Sequence, residues 1–117
     1  MEHDSMTLIR NCLFALGLMI LLPAAHAQVN ADAAKALAEK NLCLACHKAE
    51  EKSVGPALRD IANKYRAVAG AQATLVVKLQ KGGKGVWGAV PMPPVSKDVP
   101  EGDLKTMLAW ILSLSSR

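Results

Sequence analysis

The tightest constraint on this chain is the pentapeptide CLACH, residues 43–47, which places two thiols and an imidazole on one turn of chain. A C-x-x-C pair alone serves as a redox dithiol, as half of a zinc site or as a disulfide. A histidine directly after the second cysteine is the signature of covalent haem attachment. Cys43 and Cys46 would then form thioethers with two vinyl groups on adjacent pyrrole rings, and His47 would lie directly below the iron as a nitrogen ligand.

The other uses of the cysteine pair find little support in the rest of the sequence. A structural zinc site needs two further ligands, usually a second C-x-x-C or paired histidines. The remaining histidines, His3 and His26, fall within the first 27 residues, which are expected to be a cleaved leader. A dithiol oxidoreductase normally places C-x-x-C near a βαβ pattern, whereas this chain is predicted to be helical. A disulfide across three residues would close a tiny loop and constrain little of the unfolded chain.

The first 27 residues have the pattern of a cleaved Sec-type signal peptide. Arg10 precedes an apolar run over residues 12–22, and Ala-His-Ala follows at residues 25–27, which is the order of a charged region, an apolar region and a cleavage site. The run is shorter than the roughly 20 apolar residues of a membrane span, so an uncleaved anchor is the less favoured alternative. We therefore expect residues 28–117 to form a single domain in the periplasm.

Charge and aromatic content restrict the partners and the core of that domain. The full chain has a net charge of +4, residues 28–117 alone have +5, and the lysines are scattered. Nucleic-acid binding therefore has little support, and steering of an acidic protein partner fits better. Tyr65, Trp87 and Trp110 are the only aromatic residues after residue 27. Small domains with so little apolar bulk usually need a staple, a metal or a cofactor, and a porphyrin would fill this need.

Helices account for most of the predicted structure. Asn30 can cap a first helix, and Pro100 with acidic residues after it suits the start of the last one. The predicted helices cover residues 31–42, 58–65, 71–80 and 100–114, with a further helical turn at CLACH. Between the last two helices lies GVWGAVPMPPV, residues 85–95, whose prolines exclude regular structure and whose apolar character suggests that something apolar lies beneath it.

The sixth position on the iron would fall to a methionine, because no histidine other than His47 remains after the leader. Met92 and Met107 are the two methionines after residue 27. Met107 lies on the last predicted helix, where packing in the core explains it. Met92 is held between Pro91 and Pro93, which stiffen the backbone, and a thioether is an established axial ligand of haem iron. We therefore favour Met92 as the ligand.

With these motifs the chain resembles the class I c-type cytochromes, specifically the short bacterial branch of cytochrome c-551 type. The resemblance covers nearly all of residues 31–115 and includes CLACH, Val54-Gly55-Pro56, the GVWG and PMPP segments within residues 81–94, and the helix that holds Trp110. It implies an all-α cytochrome c fold in which four to five short helices wrap around one covalently bound haem c. It also implies a monomeric one-electron carrier rather than an enzyme.

Several residue roles follow from this resemblance by position. Pro56 matches the proline whose carbonyl accepts the His47 ring proton, although a plain turn proline would look the same. Trp87 matches a tryptophan whose indole N–H binds a haem propionate, with simple core packing as the alternative. Lys78 stands where many relatives have a propionate-binding arginine, and it lacks the fixed fork of that residue. Val95 stands where relatives often have an asparagine bonded to the methionine sulfur.

The resemblance also implies an open haem edge surrounded by apolar loop residues, which we call the docking patch. Its members are Val54, Ala89, Val90, Pro91, Pro93 and Pro94. Exposed apolar clusters usually mark interaction sites, although Val54 and Val90 could simply pack on the porphyrin. Nearby in sequence, Lys52, Lys81, Lys84 and Lys97 could form a basic rim that steers a partner.

Three functions remain in competition. The leading one is a periplasmic electron shuttle between respiratory redox proteins, with a nitrite reductase or terminal oxidase as acceptor and a quinol-oxidising complex or a copper protein as donor. The second is a haem enzyme or gas sensor with an open sixth site. The third is a docking subunit of a larger oxidase or reductase. A methionine between prolines argues against the second, and the absence of any recognisable anchor after the leader argues against the third.

Overall fold

The computed structural model describes residues 29–115, and within that range the chain forms five helices and one isolated β-bridge. The helices are α1 (Ala31–Lys40), α2 (Cys43–Cys46), α3 (Leu58–Tyr65), α4 (Ala71–Lys81) and α5 (Glu101–Ser113). The predicted signal peptide lies outside the described residues. No helix in the described part of the chain is long and apolar enough to cross a membrane.

Helix α1 begins where the sequence predicts and ends two residues earlier. The Asn30 side chain accepts a hydrogen bond from the Ala33 N–H at 3.0 Å, as an N-cap should. At the other end, the Asn41 side chain donates to the Leu37 carbonyl at 2.8 Å, and Leu42 has a left-handed backbone with φ 61°. The predicted extension to residue 42 is therefore wrong, because a residue in this conformation cannot continue a right-handed helix.

Helix α4 is flanked at both ends by a glycine with positive φ. Gly70, with φ 71°, precedes its first residue, and Gly82, with φ 64°, follows its last. The Gly82 N–H donates to the Lys78 carbonyl at 2.8 Å and so satisfies one of the free carbonyls at the helix end. This arrangement turns the chain sharply into the proline-rich segment.

The core lies where α5 packs against α1, α3 and α4. Helix α5 contributes five buried residues to it: Leu104, Met107, Leu108, Trp110 and Ile111. Alanines make up much of the rest, with Ala34, Ala38, Ala57, Ala62 and Ala71 all buried. Small residues on α1 allow it to approach α5 closely, but they bury little apolar area. The core is therefore small for a chain of this length, in agreement with the expected need for a cofactor.

Backbone hydrogen bonds hold the proline-rich segment against α4. Gly83 and Met92 exchange two hydrogen bonds, each of 2.9 Å, in an antiparallel bridge. Inside this bridge, the Gly85 N–H donates to the Gly88 carbonyl at 2.9 Å. Beyond it, the Val95 N–H donates to the Leu79 carbonyl at 2.8 Å. We call residues 83–95 the pinned loop, because these bonds hold both of its ends, with Met92 at its base. No regular element passes through its prolines.

Candidate haem-binding site

His47 is the best-defined side chain of the site. It follows α2 directly, its own N–H donates to the Cys43 carbonyl at 2.9 Å, and it is 9 % exposed. The ring Nδ1 lies 2.8 Å from the Pro56 carbonyl oxygen. Because a carbonyl can only accept, Nδ1 must carry the proton, and Nε2 then holds the free electron pair that a metal ligand needs.

The loop that carries Pro56 is held in place at several points. The Gly55 N–H donates to the Cys46 carbonyl at 2.9 Å, and the Leu58 N–H donates to the Lys48 carbonyl at 2.9 Å. Arg59 also forms a two-pronged ion pair with Glu50, with contacts of 2.5 Å from each of two guanidinium nitrogens. These bonds keep the carbonyl of Pro56 fixed opposite the ring of His47.

Gly55 packs its backbone directly against the His47 ring. A Cβ placed on Gly55 would lie 2.5 Å from Cε1 and 2.8 Å from Nδ1 of that ring, closer than real Cβ contacts allow. Only glycine therefore fits without movement of the ring or of the loop. The sequence predicts roles for Val54 and Pro56 but none for Gly55, since nothing in the sequence reveals which backbone faces the imidazole.

Cys43 and Cys46 are half-buried thiols at the two ends of the single turn of α2. The Cys43 Sγ donates to the Asn41 carbonyl at 3.8 Å. Burial raises the pKa of the Cys43 thiol, and a hydrogen bond from the backbone of Cys43 itself, not the contact with Asn41, offsets part of that effect. Both thiols and His47 therefore leave the same short helix, which is the arrangement that the CLACH spacing predicts.

The structure separates the two candidate methionines. Met107 is 1 % exposed in the core, in agreement with its expected packing role. Met92 is half-buried in the pinned loop, and its carbonyl lies so close to Gly82 that a Cβ on that glycine would overlap it. The tight turn at Gly82 therefore brings the Met92 backbone against the end of α4.

Trp87 lies outside the core, at the tip of the pinned loop between Gly85 and Gly88. It is 41 % exposed, so core packing does not account for it. The Lys64 ammonium nitrogen lies 5.5 Å from the centre of the Trp87 ring. Sequence reasoning did not find Lys64, because the contact joins α3 to a distant loop and no local pattern signals it.

The remaining predicted site residues fall on the same loop or next to it. Lys78 is half-buried, and its Nζ would lie 3.1 Å from a Cβ on Gly83, so the ammonium group sits beside the Gly83–Met92 bridge. Val95 is partly buried against the core. The six docking-patch residues are all exposed, with Val54 at 59 % and Val90 at 64 %.

This set of residues fits a covalently attached haem. A buried imidazole presents Nε2 with no hydrogen-bond partner within residues 29–115, two thiols stand one turn apart beside it, and apolar side chains of the pinned loop are exposed. Among these, Val86 is 54 % exposed and Trp87 is 41 % exposed. A flat apolar group bonded at Cys43 and Cys46 would cover such side chains.

Comparison with known proteins agrees with this geometry. The family model for cytochrome c matches residues 31–115. The chain belongs to the cytochrome c family. Cytochrome c-552 of Nitrosomonas europaea is 49 % identical over 94 residues, which cover 80 % of this chain and 86 % of that protein. Cytochrome c-551 of Allochromatium vinosum is 51 % identical over 78 residues, which cover 67 % of this chain and 82 % of that protein.

Solved structures of relatives show the same fold. The crystal structure of wild-type Nitrosomonas europaea cytochrome c552 superimposes with a TM-score of 0.64 at 49 % identity, covering 68 % of this chain and 98 % of the other. The class 1 cytochrome MtoD of Sideroxydans lithotrophicus does so with a TM-score of 0.64 at 32 % identity, covering 74 % and 98 %. The expected all-α cytochrome c fold is confirmed. This cytochrome is a class I protein of the c-551 type, from a family of electron carriers. It has one covalent haem c, and Cys43 and Cys46 form its C-x-x-C-H attachment motif.

Proposed function

We propose that this cytochrome is a periplasmic one-electron carrier in which His47 and Met92 are the axial ligands of the haem iron. The observation that carries the proposal is the 2.8 Å hydrogen bond between His47 Nδ1 and the Pro56 carbonyl. It leaves Nε2 free in a buried, fixed imidazole next to the two attachment cysteines. Bound haem supplies the one-electron couple of its iron.

The Pro56 carbonyl sets both the orientation and the donor strength of His47. An acceptor on Nδ1 fixes the tautomer and increases the basicity of Nε2. The ion pair of Arg59 and Glu50, which includes one hydrogen bond from Nη2, supports the loop from outside, at 40 % and 61 % side-chain exposure. Exposed pairs of this kind contribute little to stability on their own, so the backbone bonds of the loop do most of the positioning.

Met92 is the residue best suited to the opposite axial position. Its N–H and its carbonyl are both hydrogen-bonded to Gly83. Pro91 and Pro93 restrict the backbone directly before and after Met92. A thioether held by a rigid loop keeps the sixth position closed and favours the reduced iron. A protein with both positions filled has no open site for oxygen or peroxide, which is why we propose a carrier rather than an enzyme or a gas sensor.

The remaining polar contacts of the haem are assigned by position. We place the Trp87 indole N–H and the Lys78 ammonium group at the propionates, with Pro56 as the acceptor behind His47. Val95 offers no hydrogen bond to the methionine sulfur, so packing alone would orient that group. Residues 1–27 are proposed to direct export to the periplasm and to be removed, leaving residues 28–117 as the mature carrier.

Electrons are proposed to leave through the docking patch. Its exposed apolar residues suit close approach of a partner to the haem edge, and the exposed Lys52, Lys81, Lys84 and Lys97 suit steering of an acidic surface. Contacts of this kind tend to be small, which favours quick release. The partner class is respiratory: a nitrite reductase or terminal oxidase as acceptor, and a quinol-oxidising complex or copper protein as donor.

The axial ligand is tested by comparing Met92→Ala with Met107→Leu. The first variant should lose the weak red-edge absorption band of methionine-bound ferric haem, become high-spin and show a lower reduction potential. The second should keep the band and the potential, since Leu for Met nearly conserves volume in the core. If Met92→Ala retained the band, the ligand assignment would be wrong and the open-site functions would return.

The docking patch is tested with charge insertions. Val54→Lys and Val90→Lys should slow electron transfer to the native partner while the reduction potential stays close to that of the wild type. Val77→Lys is the matched control, because it adds the same charge at an exposed valine of α4 outside the docking patch. Neutralising the rim lysines should flatten the dependence of the rate on ionic strength. Unchanged partner rates in both valine variants would mean that electrons leave by another face.

A further inference from the structure

We propose that Lys64 is a positioning residue for Trp87: its ammonium group holds the indole ring in the orientation in which the ring N–H binds a haem propionate. The inference rests on the proposed role of Trp87 and adds the residue that keeps this side chain in place. Lys64 belongs to α3 and Trp87 to the pinned loop, so the contact also ties the loop to a helix outside it.

Trp87 needs such a partner because the loop itself does little to orient it. The residue sits between Gly85 and Gly88, whose φ values of 108° and 119° lie in a region that side-chain-bearing residues rarely adopt. These two glycines of the tip have no Cβ to pack on the ring. The ring is 41 % exposed, so burial in the protein does not fix its orientation.

Lys64 supplies a specific attraction at this point. Its Nζ lies 5.5 Å from the ring centre, inside the range of about 6 Å in which a cation is attracted to the face of a tryptophan. Lys64 lies in the last turn of α3, where the negative end of the helix dipole favours a cation. A charge on the ring face leaves the ring edge, and with it the N–H, free for another partner.

Exchange of the Trp87 indole N–H with solvent measures this positioning directly. In the reduced, diamagnetic haem protein, two-dimensional ¹⁵N NMR resolves the indole signals of Trp87 and Trp110. Loss of a surface cation–π contact corresponds to about a two- to fivefold rise in the ratio of undocked to docked ring. Lys64→Gln should therefore accelerate exchange at Trp87 by about two- to fivefold, whereas Trp110, buried in the core, serves as an internal control and should not change.

Two further variants separate positioning from charge. Lys64→Arg should restore slow exchange, because a guanidinium stacks on an indole at least as well as an ammonium group. Lys105→Gln removes one exposed lysine from α5 and should leave exchange at Trp87 unchanged. The reduction potential should fall in Lys64→Gln and not in Lys64→Arg, since a looser bond to the propionate leaves more negative charge near the iron.

The outcome for Lys64 can be distinguished from the outcome for the haem contact itself. Trp87→Phe keeps an aromatic face for Lys64 and removes the pyrrole part of the indole together with its N–H. Suppose that Trp87→Phe lowers the reduction potential, while the Trp87 indole N–H exchanges equally fast in Lys64→Gln and in Lys105→Gln. The positioning role of Lys64 is then overturned, and the propionate bond stands. If Trp87→Phe leaves the potential of the wild type, the proposed propionate bond is wrong, and with it the purpose assigned to Lys64.

Discussion

Replacement of Gly55 by alanine tests the most constrained contact of the site. The new Cβ would stand 2.5 Å from Cε1 and 2.8 Å from Nδ1 of His47, and no left-handed φ complicates the substitution at this position. Either the ring or the loop must move, and both movements stretch the bond to the Pro56 carbonyl. Overpacking costs about 1–3 kcal/mol, and a lost hydrogen bond adds about 0.5–1.5 kcal/mol.

We therefore expect Gly55→Ala to lose about 1.5–4.5 kcal/mol of stability. In a domain of this size each kcal/mol shifts Tm by about 4–8 °C, so a fall of about 6–36 °C should be seen in thermal unfolding of the haem-loaded protein. The reduction potential should rise, because a weaker bond at Nδ1 makes His47 a poorer donor to the iron.

Gly102→Ala is the matched control. Gly102 lies in the first turn of α5, and a Cβ there meets nothing within 4 Å. Alanine is the better helix former, so this variant should have an equal or slightly higher Tm and an unchanged potential. A Gly55→Ala protein that behaved like Gly102→Ala in both measurements would refute the argument that this backbone supports the axial ligand.

Three further changes test other parts of the structure. Leu42→Gly should raise Tm by a few degrees, because the left-handed backbone of this 75 %-exposed leucine costs about 1–2 kcal/mol. The greater freedom of glycine in the unfolded chain offsets only part of that gain. An unchanged or lower Tm would show that Leu42 has compensating contacts. Gly82→Ala should displace the Met92 loop, visible as a weakened methionine–iron band and a lower Tm, and retention of both would contradict the close approach at this turn. Cys43→Ala combined with Cys46→Ala should give a largely unfolded chain, and a cooperative thermal transition in that apoprotein would show that haem is not needed to complete the core.

The positions of the helices follow closely from local sequence. The predicted segment 58–65 coincides with α3, the segment 71–80 ends one residue before α4 does, and the segment 100–114 exceeds α5 by one residue at each end. Capping residues and glycines are short-range signals, and they act on the backbone within one turn. The error at residue 42 has the same origin, since the alanine-rich pattern gives no sign that Leu42 leaves the right-handed region.

The chemistry of haem attachment was also available from sequence, because the C-x-x-C-H spacing lies within one turn and needs no tertiary structure to bring its members together. The choice between Met92 and Met107 rested on the prolines around the first and on the helical pattern around the second. The structure agrees about Met107, which is buried in the core, and ligation by Met92 stays a prediction.

Only the tertiary structure decided the contacts between residues that lie more than one helical turn apart along the chain. The backbone of Gly55 against the His47 ring and Lys64 over Trp87 each join separate elements, and the bridge between Gly83 and Met92 closes one loop. Such contacts depend on how helices and loops pack in three dimensions, and sequence periodicity carries information only about neighbours on one element. The chain by itself therefore determined which groups attach the haem and where its helices lie, while packing determined which backbone and side chains hold those groups in place.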